Sequence, residues 1–317
     1  TDFCAQPIET INYIECHDNY MLWDKIVMST QDLQITDNDR IDIDKLAAAI
    51  ILTSQGIPFL QVGQEFLRSK HFEDNPYNKG DEVNKVEWAR KVQYFDVFNY
   101  YKNLIALRKA HPMFRFKTAQ EIKENIYFLD DDMDYVLPAK CVAYVINKGS
   151  TNDNWENAIV IFNPNNYSVN IELPESQWYL VLDKNNYYPQ GNGEYKNSVS
   201  VPSYSAMILF NLDKDFKNNV LAKYKTAKAP VKKIFKVNAP DAKQVTIAGS
   251  FNDWNKDSLP MKRDNSGMWS IELELEPGSY EYKFIQDGDW DKLNKDNRIV
   301  NIKKTGKNAI LFEVYAP

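Results

Sequence analysis

The spacing of apolar residues changes near residue 121, and this change limits the folds that the chain can adopt. Before that point, short continuous apolar runs at residues 11 to 16 and 57 to 62 predict strands, and residues 45 to 54 and about 92 to 109 predict helices. Continuous apolar runs are typical of parallel strands that are buried on both faces. After it, short apolar runs separated by Asn, Pro, Gly and Asp predict antiparallel strands.

The same pattern divides the chain into an α/β part and two all-β parts. Residues 1 to 120 carry the strand–helix–strand pattern, and residues 121 to 212 carry the first set of short strands. Residues 213 to 230 are rich in Lys and poor in large apolar residues, which predicts a linker. Residues 231 to 317 alternate again around turns and predict a second β-domain with its own core.

Composition excludes several classes of function. The net charge is −6 and acidic and basic residues are mixed along the chain, so we expect no nucleic-acid partner. No apolar run approaches the roughly 20 residues of a membrane span, so we expect no membrane partner. The three cysteines form neither a disulfide framework nor a zinc pattern, and we assign no cofactor and no metal ligand. Aromatic residues reach 13%, which suits large cores or sugar-stacking surfaces.

Polar residues follow the first predicted strand at the point where it ends. His17, Asp18 and Asn19 come directly after the apolar run at residues 11 to 16. A strand end that presents an imidazole, a carboxylate and an amide is suited to chemistry at the mouth of a barrel. The alternative is structural, because Asp18 or Asn19 could cap the helix that follows.

Two tryptophans in the last domain lie on predicted turns. Trp254 follows a strand in the segment GSFNDWN, residues 249 to 255, and Trp290 ends the segment YEYKFIQDGDW, residues 280 to 290. An exposed indole offers a flat face to the apolar side of a sugar ring. The alternative is that both side chains cap the core of the domain.

Four segments in the first 115 residues resemble glycoside hydrolase family 13 in its debranching, pullulanase-type form. Residues 11 to 25 (INYIECHDNYMLWDK) are similar to the fourth short motif of that family, and residues 55 to 70 (QGIPFLQVGQEFLRSK) to its eighth barrel strand. Residues 74 to 88 (DNPYNKGDEVNKVEW) resemble its substrate loop, and residues 107 to 115 (LRKAHPMFR) its eighth helix. The resemblance implies that residues 1 to 120 are the last strands and helices of a (β/α)8 TIM barrel, followed by an antiparallel β-sandwich.

The resemblance also implies roles for five residues. In this family a retaining mechanism cleaves α-glucosidic bonds. Asp18 would stabilise the transition state at subsite −1, and His17 would bind the same glucose. The substrate-binding residues would be Asn75, Tyr77 and Asp81, around an α-1,6 branch. The nucleophile and the acid/base precede this region in the order of the family and are absent from this chain.

The last domain resembles carbohydrate-binding families 48 and 20. The signatures are the two tryptophan segments quoted above, and the implied fold is an immunoglobulin-like β-sandwich. By this resemblance, Trp254 and Trp290 are stacking platforms for starch or glycogen, Lys283 contacts a hydroxyl group, and Asn308 is a second contact.

Together these patterns predict part of a starch-debranching enzyme whose partner is an α-glucan. The chain begins at Thr1 without an initiator Met or a signal peptide, so we expect that it is cut from something longer, that the signal segment lies outside it, and that the protein is secreted or at the cell surface. A lone pair of barrel strands would expose apolar edges, so we expect either a non-covalent companion fragment with the remainder of the enzyme or a rearranged packing of residues 1 to 120. Alternatives are a glucan-binding fragment without catalytic activity, and a different specificity such as that of an isoamylase or an amylopullulanase. Calcium is found in family members, but no ligands are assigned to it.

Overall fold

The computed structural model describes residues 5 to 225, 230 to 276, 278 to 290, 293, 296 to 302 and 313 to 316. The chain divides into two compact units, Thr1–Val220 and Leu221–Pro317. No helix in these described ranges is long and apolar enough to cross a membrane.

The first unit begins with a parallel pair of very short strands. These are β1 (Ile11–Asn12) and β2 (Ile57–Pro58), with Ile11 paired to Ile57. The apolar runs predicted two strands of six residues, and only two residues of each form the pair. The helices of this unit are α1 (Leu22–Ser29), α2 (Asp37–Thr53), α3 (Asp81–Asn84), α4 (Ala89–Gln93), α5 (Phe95–Ala110) and α6 (Ala119–Asn125).

Helix α2 begins earlier than the apolar pattern indicates. The side chain of Thr36 accepts a hydrogen bond from the backbone nitrogen of Asp39, and the Asp39 carboxylate accepts one from the backbone of Thr36. This reciprocal capping box satisfies two backbone donors and starts the helix in a polar stretch. The predicted helix at residues 45 to 54 is therefore only the buried part of α2.

The rest of the first unit is an antiparallel β-domain. Its six-stranded sheet has the order β3-β4-β5-β10-β7-β8, and β6 pairs with β9 in a separate sheet. The strands are β3 (Ile126–Phe128), β4 (Val142–Asn147), β5 (Asn157–Asn163), β6 (Val169–Glu172), β7 (Trp178–Leu182), β8 (Tyr187–Tyr195), β9 (Ser198–Val201) and β10 (Ser205–Asn211). Every residue of β5 and β10 is buried.

One apolar core joins the helices of the first unit to this sheet. Leu52 of α2 and Leu104 of α5 belong to the same buried cluster as Val160 of β5 and Ile208 of β10. The sheet confirms the all-β part of the predicted fold. Of the predicted barrel, the described residues show the parallel strand pair β1 and β2 and the helices α2 and α5. The complete barrel therefore stays a prediction.

The predicted linker contains local structure at its start. A π-helical turn spans Lys217–Leu221, and the short helix α7 (Ala222–Lys225) follows it. Phe216 is fully buried, and its ring lies edge-on to the ring of Trp178 at 5.5 Å.

The second unit is built from two sheets. One has the order β13-β14-β11-β17, and the other has the order β12-β15-β16. The strands are β11 (Val231–Asn238), β12 (Val245–Gly249), β13 (Lys262–Arg263), β14 (Met268–Leu275), β15 (Gly278–Gln286), β16 (Arg298–Ile302) and β17 (Glu313–Ala316). Phe235 of the first sheet and Phe284 of the second sheet belong to one buried core.

Candidate functional site

The predicted His–Asp pair lies on an open loop between β1 and α1. His17 Nε2 and Asp18 Oδ2 are 3.2 Å apart, and both side chains are 79% exposed. Asn19, next in the chain, adopts a left-handed backbone conformation with φ of 68°, which turns the chain towards α1. The two side chains are therefore presented together to solvent at the end of the first strand.

The alternative role of helix capping does not fit this loop. The N-cap of α1 is Met21, and no side chain of that residue caps the helix. Instead, a carboxylate oxygen of Glu15 accepts a hydrogen bond from the backbone nitrogen of Leu22 at the start of α1. Asp18 and Asn19 are thus not used to cap α1, and the Asp18 carboxylate is available to a ligand.

Two buried charged side chains, Lys70 and Asp24, connect the His17 loop to the segment after β2. The Nζ of Lys70 donates to the backbone oxygen of His17 at 3.0 Å, and the Lys70 side chain is buried. Asp24, which is fully buried, accepts from the backbone nitrogen of Lys70 at 2.8 Å and from Ser69 Oγ at 2.6 Å. Burial lowers the pKa of Lys70, with a further contribution from the charge of Arg68. The segment after β2 therefore fixes the position of the His17 backbone.

Two acids below the loop are held away from water. Burial raises the pKa of Glu15 to about 7, while the Leu22 N–H and the charges of Lys25 and Arg68 oppose this shift. Burial also raises the pKa of Asp44 well above its usual range, although the hydroxyl group of Tyr101 donates to it at 3.0 Å. The apolar pattern did not single out either acid, because Glu15 lies within the run at residues 11 to 16 and Asp44 directly precedes the run at residues 45 to 54.

The predicted substrate loop is organised by its backbone and leaves its side chains at the surface. Asn75 precedes a 3-10 turn at Pro76–Asn78, Tyr77 is 92% exposed, and Asp81 begins α3. The side-chain amide of Asn84 donates to two backbone oxygens of this loop at 2.8 Å each. Within the described residues, no hydrogen bond or ion pair joins these predicted residues to His17 or Asp18.

The two tryptophans of the second unit lie next to each other. The ring centroids of Trp254 and Trp290 are 6.4 Å apart, and their planes are inclined by 44°. Both side chains are half-buried. Among the described residues, neither side chain belongs to the core of the unit or packs against it, which argues against the capping alternative.

The turn that carries Trp254 is tightly bonded. Trp254 donates its backbone N–H to Gly249 at 3.0 Å, and the Asn252 amide donates to Asn255 and Ser258 at 2.9 Å each. A side chain at position 249 would meet the backbone oxygen of Glu281 at 2.4 Å, so only glycine fits there. The strand end therefore holds the indole in one place.

Of the other two predicted sugar contacts, Lys283 and Asn308, the structure describes Lys283. Lys283 lies on β15 opposite Ala248, and its side chain is buried. Asn308 lies outside the described residues. In the described ranges, no group of three or more His, Cys, Asp or Glu side chains could hold a metal ion.

Comparisons with known proteins identify relatives for both units. Residues 122 to 186 match the family described as pullulanase, all-beta domain, and residues 232 to 314 match the glycogen recognition site of AMP-activated protein kinase. A curated pullulanase from Bacillus subtilis is 35% identical over 205 residues, which are 65% of this chain and 27% of that protein. The chain thus spans about a quarter of the length of this relative.

Solved structures of pullulanases are also similar to this chain. A pullulanase from Bacillus acidopullulyticus superposes with a TM-score of 0.62 at 43% identity, over 66% of this chain and 25% of that chain. The type I pullulanase from Bacillus subtilis complexed with maltose superposes with a TM-score of 0.61 at 33% identity, over 66% of this chain and 28% of that chain. The chain is therefore similar to pullulanases over about two thirds of its length, with residues 122 to 186 matching their all-beta domain and residues 232 to 314 matching a glycogen recognition site.

Proposed function

We propose that this chain forms part of a starch-debranching enzyme that hydrolyses α-1,6-glucosidic bonds in pullulan, amylopectin or related α-glucans. The observation that carries the proposal is the similarity to pullulanases over 65% of the chain. The exposed side chains of His17 and Asp18 at the end of β1 support it, because a sugar-binding pair must reach the ligand.

The proposed mechanism assigns binding roles to this chain. Retaining glycosidases use a nucleophilic carboxylate and an acid/base on opposite sides of the scissile bond, and we assign neither to this chain. Asp18 and His17 hydrogen-bond the hydroxyl groups of the glucose at subsite −1 and stabilise its distorted transition state. Asn75, Tyr77 and Asp81 contact the sugars around the branch, and their exposure supports this role.

Exposed apolar side chains support the barrel assignment of residues 1 to 120. Ile11 is 61% exposed and Ile57 is 42% exposed although they pair with each other in a parallel sheet. Phe59 and Val62 are 41% and 48% exposed. Parallel strands are normally covered on both faces. We infer that the other strands of a (β/α)8 barrel cover these side chains.

The test is the release of reducing sugar from pullulan by the purified chain, alone and with a polypeptide that carries the six preceding strands of a pullulanase barrel. Intact mass of the same samples shows whether the two polypeptides bind. We expect activity only in the complex. Asp18→Asn should lower that activity at least about a hundredfold, whereas the exposed Asp32→Asn serves as the matched control.

Other results would redirect the proposal. A complex without activity would leave glucan binding as the function of the chain. Release of sugar from linear amylose but not from pullulan would indicate a different specificity, and a preference for glycogen over pullulan would indicate an isoamylase.

A second candidate function, glucan binding by the last module, is favoured by the adjacent rings of Trp254 and Trp290. Both rings stack on glucose units, and Lys283 and Asn308 contact hydroxyl groups. Replacing both tryptophans by Ala should weaken β-cyclodextrin binding by about 1–3 kcal/mol per ring, by analogy with bases that stack on aromatic side chains. Tyr167→Ala, which removes an exposed aromatic side chain of the β-domain in the first unit, is the control. Unchanged affinity in the double variant would refute the stacking role.

The extents of the parts and their location are also proposals. We assign residues 1 to 120 to the barrel, 121 to 212 to the β-sandwich, 213 to 230 to the linker and 231 to 317 to the starch-binding module. An enzyme that attacks polymers such as pullulan acts where the polymer is, so we propose a secreted or cell-surface protein.

A further inference from the structure

A polar pocket lies in the first unit, between helices α2 and α5 and the turn that joins β7 to β8. Its volume is about 190 Å³. Four of its lining side chains are amides, which can donate and accept hydrogen bonds at the same time. They are Asn99, Asn103, Asn185 and Asn186.

The wall formed by α5 is a continuous polar stripe. Asp96, Asn99, Tyr100 and Asn103 are spaced by three, one and three residues, which places them on one face of the helix. Asn99 and Asn103 are half-buried. In the part of the chain that the structure describes, no hydrogen bond occupies either side-chain amide. This wall therefore offers donors and acceptors that the protein itself does not use.

The opposite wall is a rigid turn. Asp183 Oδ1 accepts hydrogen bonds from the backbone nitrogens of Asn185 and Asn186 at 2.8 Å each. The backbone nitrogen of Asp183 in turn donates to the backbone oxygen of Asn186 at 3.1 Å. This turn holds the two asparagines in place without a ligand, which lowers the ordering cost of binding.

Charges at the pocket are neutralised in pairs. Lys45 Nζ lies 3.1 Å from Asp96 Oδ2, and Lys184 Nζ lies 2.7 Å from Asp42 Oδ2. Both lysines are largely enclosed, because the Lys45 side chain is 7% exposed and the Lys184 side chain is 24% exposed. Because both cations are paired, the pocket has no excess of positive charge to attract an anion.

Tyr100 adds a buried hydroxyl group beside these amides. The residue is 5% exposed, and among the described residues its hydroxyl group has no hydrogen-bond partner. Burial, together with the negative charges of Asp183 and Asp42, raises the pKa of Tyr100, so the group stays a neutral donor. Because the hydroxyl oxygen is enclosed by protein atoms, Tyr100 adds no charge to the pocket, and the amides are the groups that a ligand can reach.

We infer that this pocket binds one unit of a neutral, hydroxyl-rich ligand, such as a single hexose of a glycan. The unused amides of Asn99 and Asn103 suit hydroxyl groups, the paired charges disfavour anions, and the volume is below the roughly 300 Å³ at which pockets for larger ligands begin. The site is separate from His17 and Asp18 and from the tryptophan pair, and it does not depend on debranching activity.

The experiment is a titration of the full chain with maltose, followed by the NMR shifts of backbone amides. The Trp254→Ala/Trp290→Ala double variant is used, because it removes the proposed site in the second unit. We expect saturable shifts at residues 99 to 103 and 184 to 186. Asn103→Leu on one wall and Asn186→Ala on the other should each weaken binding about tenfold. Asn170→Ala, at an exposed position of β6, should leave it unchanged.

Three results would overturn the inference. The first is the absence of saturable shifts in the pocket, and the second is saturable shifts at residues 99 to 103 and 184 to 186 whose maltose affinity neither pocket variant weakens. The third is a preference for another probe: binding of inorganic phosphate in place of maltose would show an anion site, and equal affinity for glycerol would show a site without selectivity for a sugar. Thermal unfolding of each variant verifies that it is folded.

Discussion

The chain contains two histidine–aspartate pairs in opposite environments. His17 and Asp18 are adjacent in sequence, lie 3.2 Å apart and are 79% exposed. His111 Nδ1 and Asp153 Oδ1 lie 2.8 Å apart, with side chains that are 9% and 0% exposed. The same two side chains therefore face solvent in one place and join parts of the fold in the other, and burial distinguishes the two environments.

The buried pair connects the end of α5 to the β-domain. Asp153 also accepts hydrogen bonds from the backbone nitrogens of Met113 at 3.2 Å and Trp155 at 3.1 Å. The ring of His111 stacks on that of Trp155, with centroids 3.3 Å apart and planes inclined by 17°. All polar atoms of the Asp153 carboxylate are used inside the protein, whereas those of Asp18 face solvent.

The replacement Asp153→Ala is expected to have the largest effect on stability. It leaves His111 and two backbone N–H groups without their buried partner, so the free energy of unfolding should fall by about 3–5 kcal/mol. Urea denaturation measures this loss. A loss below about 1 kcal/mol would mean that the buried pair does not stabilise the junction.

A second test concerns the buried acid below the exposed pair. The raised pKa of Glu15, about 7 against 4.5 in an unfolded chain, means that the folded protein keeps a proton that the unfolded chain releases. Stability should therefore fall as the pH rises from 4.5 to 7, by about 3 kcal/mol at roughly 1.4 kcal/mol per unit of pKa.

The variant Glu15→Gln should reduce this fall, because it keeps an acceptor for Leu22 but cannot lose a proton. Part of the fall should persist, since burial raises the pKa of Asp44 in the same direction. Urea denaturation at several pH values measures both proteins. Glu172→Gln, at an exposed position, is the control. A variant with the full pH dependence of the parent would contradict the assignment to Glu15.

The third test removes a side chain that supports the loop and leaves both His17 and Asp18 in place. Lys70→Met removes the donor to the backbone oxygen of His17, so the NMR order parameters of the backbone amides at residues 16 to 19 should fall, from about 0.85 towards about 0.6. Lys79→Met, which removes the surface ion pair with Glu73, should leave these order parameters unchanged. Equal order parameters in both variants would show that Lys70 does not position the loop.

The smallest effect is expected from Asp18→Ala. Exposed ion pairs contribute little to folding, so the free energy of unfolding should change by less than about 0.5 kcal/mol. The measurement is the same urea denaturation used for Asp153→Ala. A loss comparable to that of the buried variant would make Asp18 a structural residue and remove the contrast between the two pairs.

The sequence predicted the β-domains well because their strands alternate or run apolar between clear turns. The apolar or alternating runs at residues 178 to 182 and 268 to 275 coincide with the strands Trp178–Leu182 and Met268–Leu275. The sequence missed β8, Tyr187–Tyr195, because this strand contains Pro, Gly and Asn and has no buried residue. Its pairing with β7 shifts register twice, so local pattern alone does not indicate it.

The candidate sites were predicted in part. The strand-end position of His17 and Asp18 and the turn positions of Trp254 and Trp290 follow from local sequence, and their implied roles come from resemblance. Lys70 and Asp24 were missed because their contacts join segments 46 or more residues apart, which no local pattern reveals. The pairing of His111 could not be predicted either, because local sequence at His111-Pro112 indicates only a helix end and its partner Asp153 lies 42 residues away.

The inclination of the two indole rings has a geometric consequence for the shape of a ligand. Planes that meet at 44° cannot both lie flat against a straight ribbon. A chain that contacts both faces must bend between the contacted units, as α-linked glucose chains do and extended β-linked chains do not. The module should therefore distinguish glucans by their curvature before any hydroxyl group is recognised.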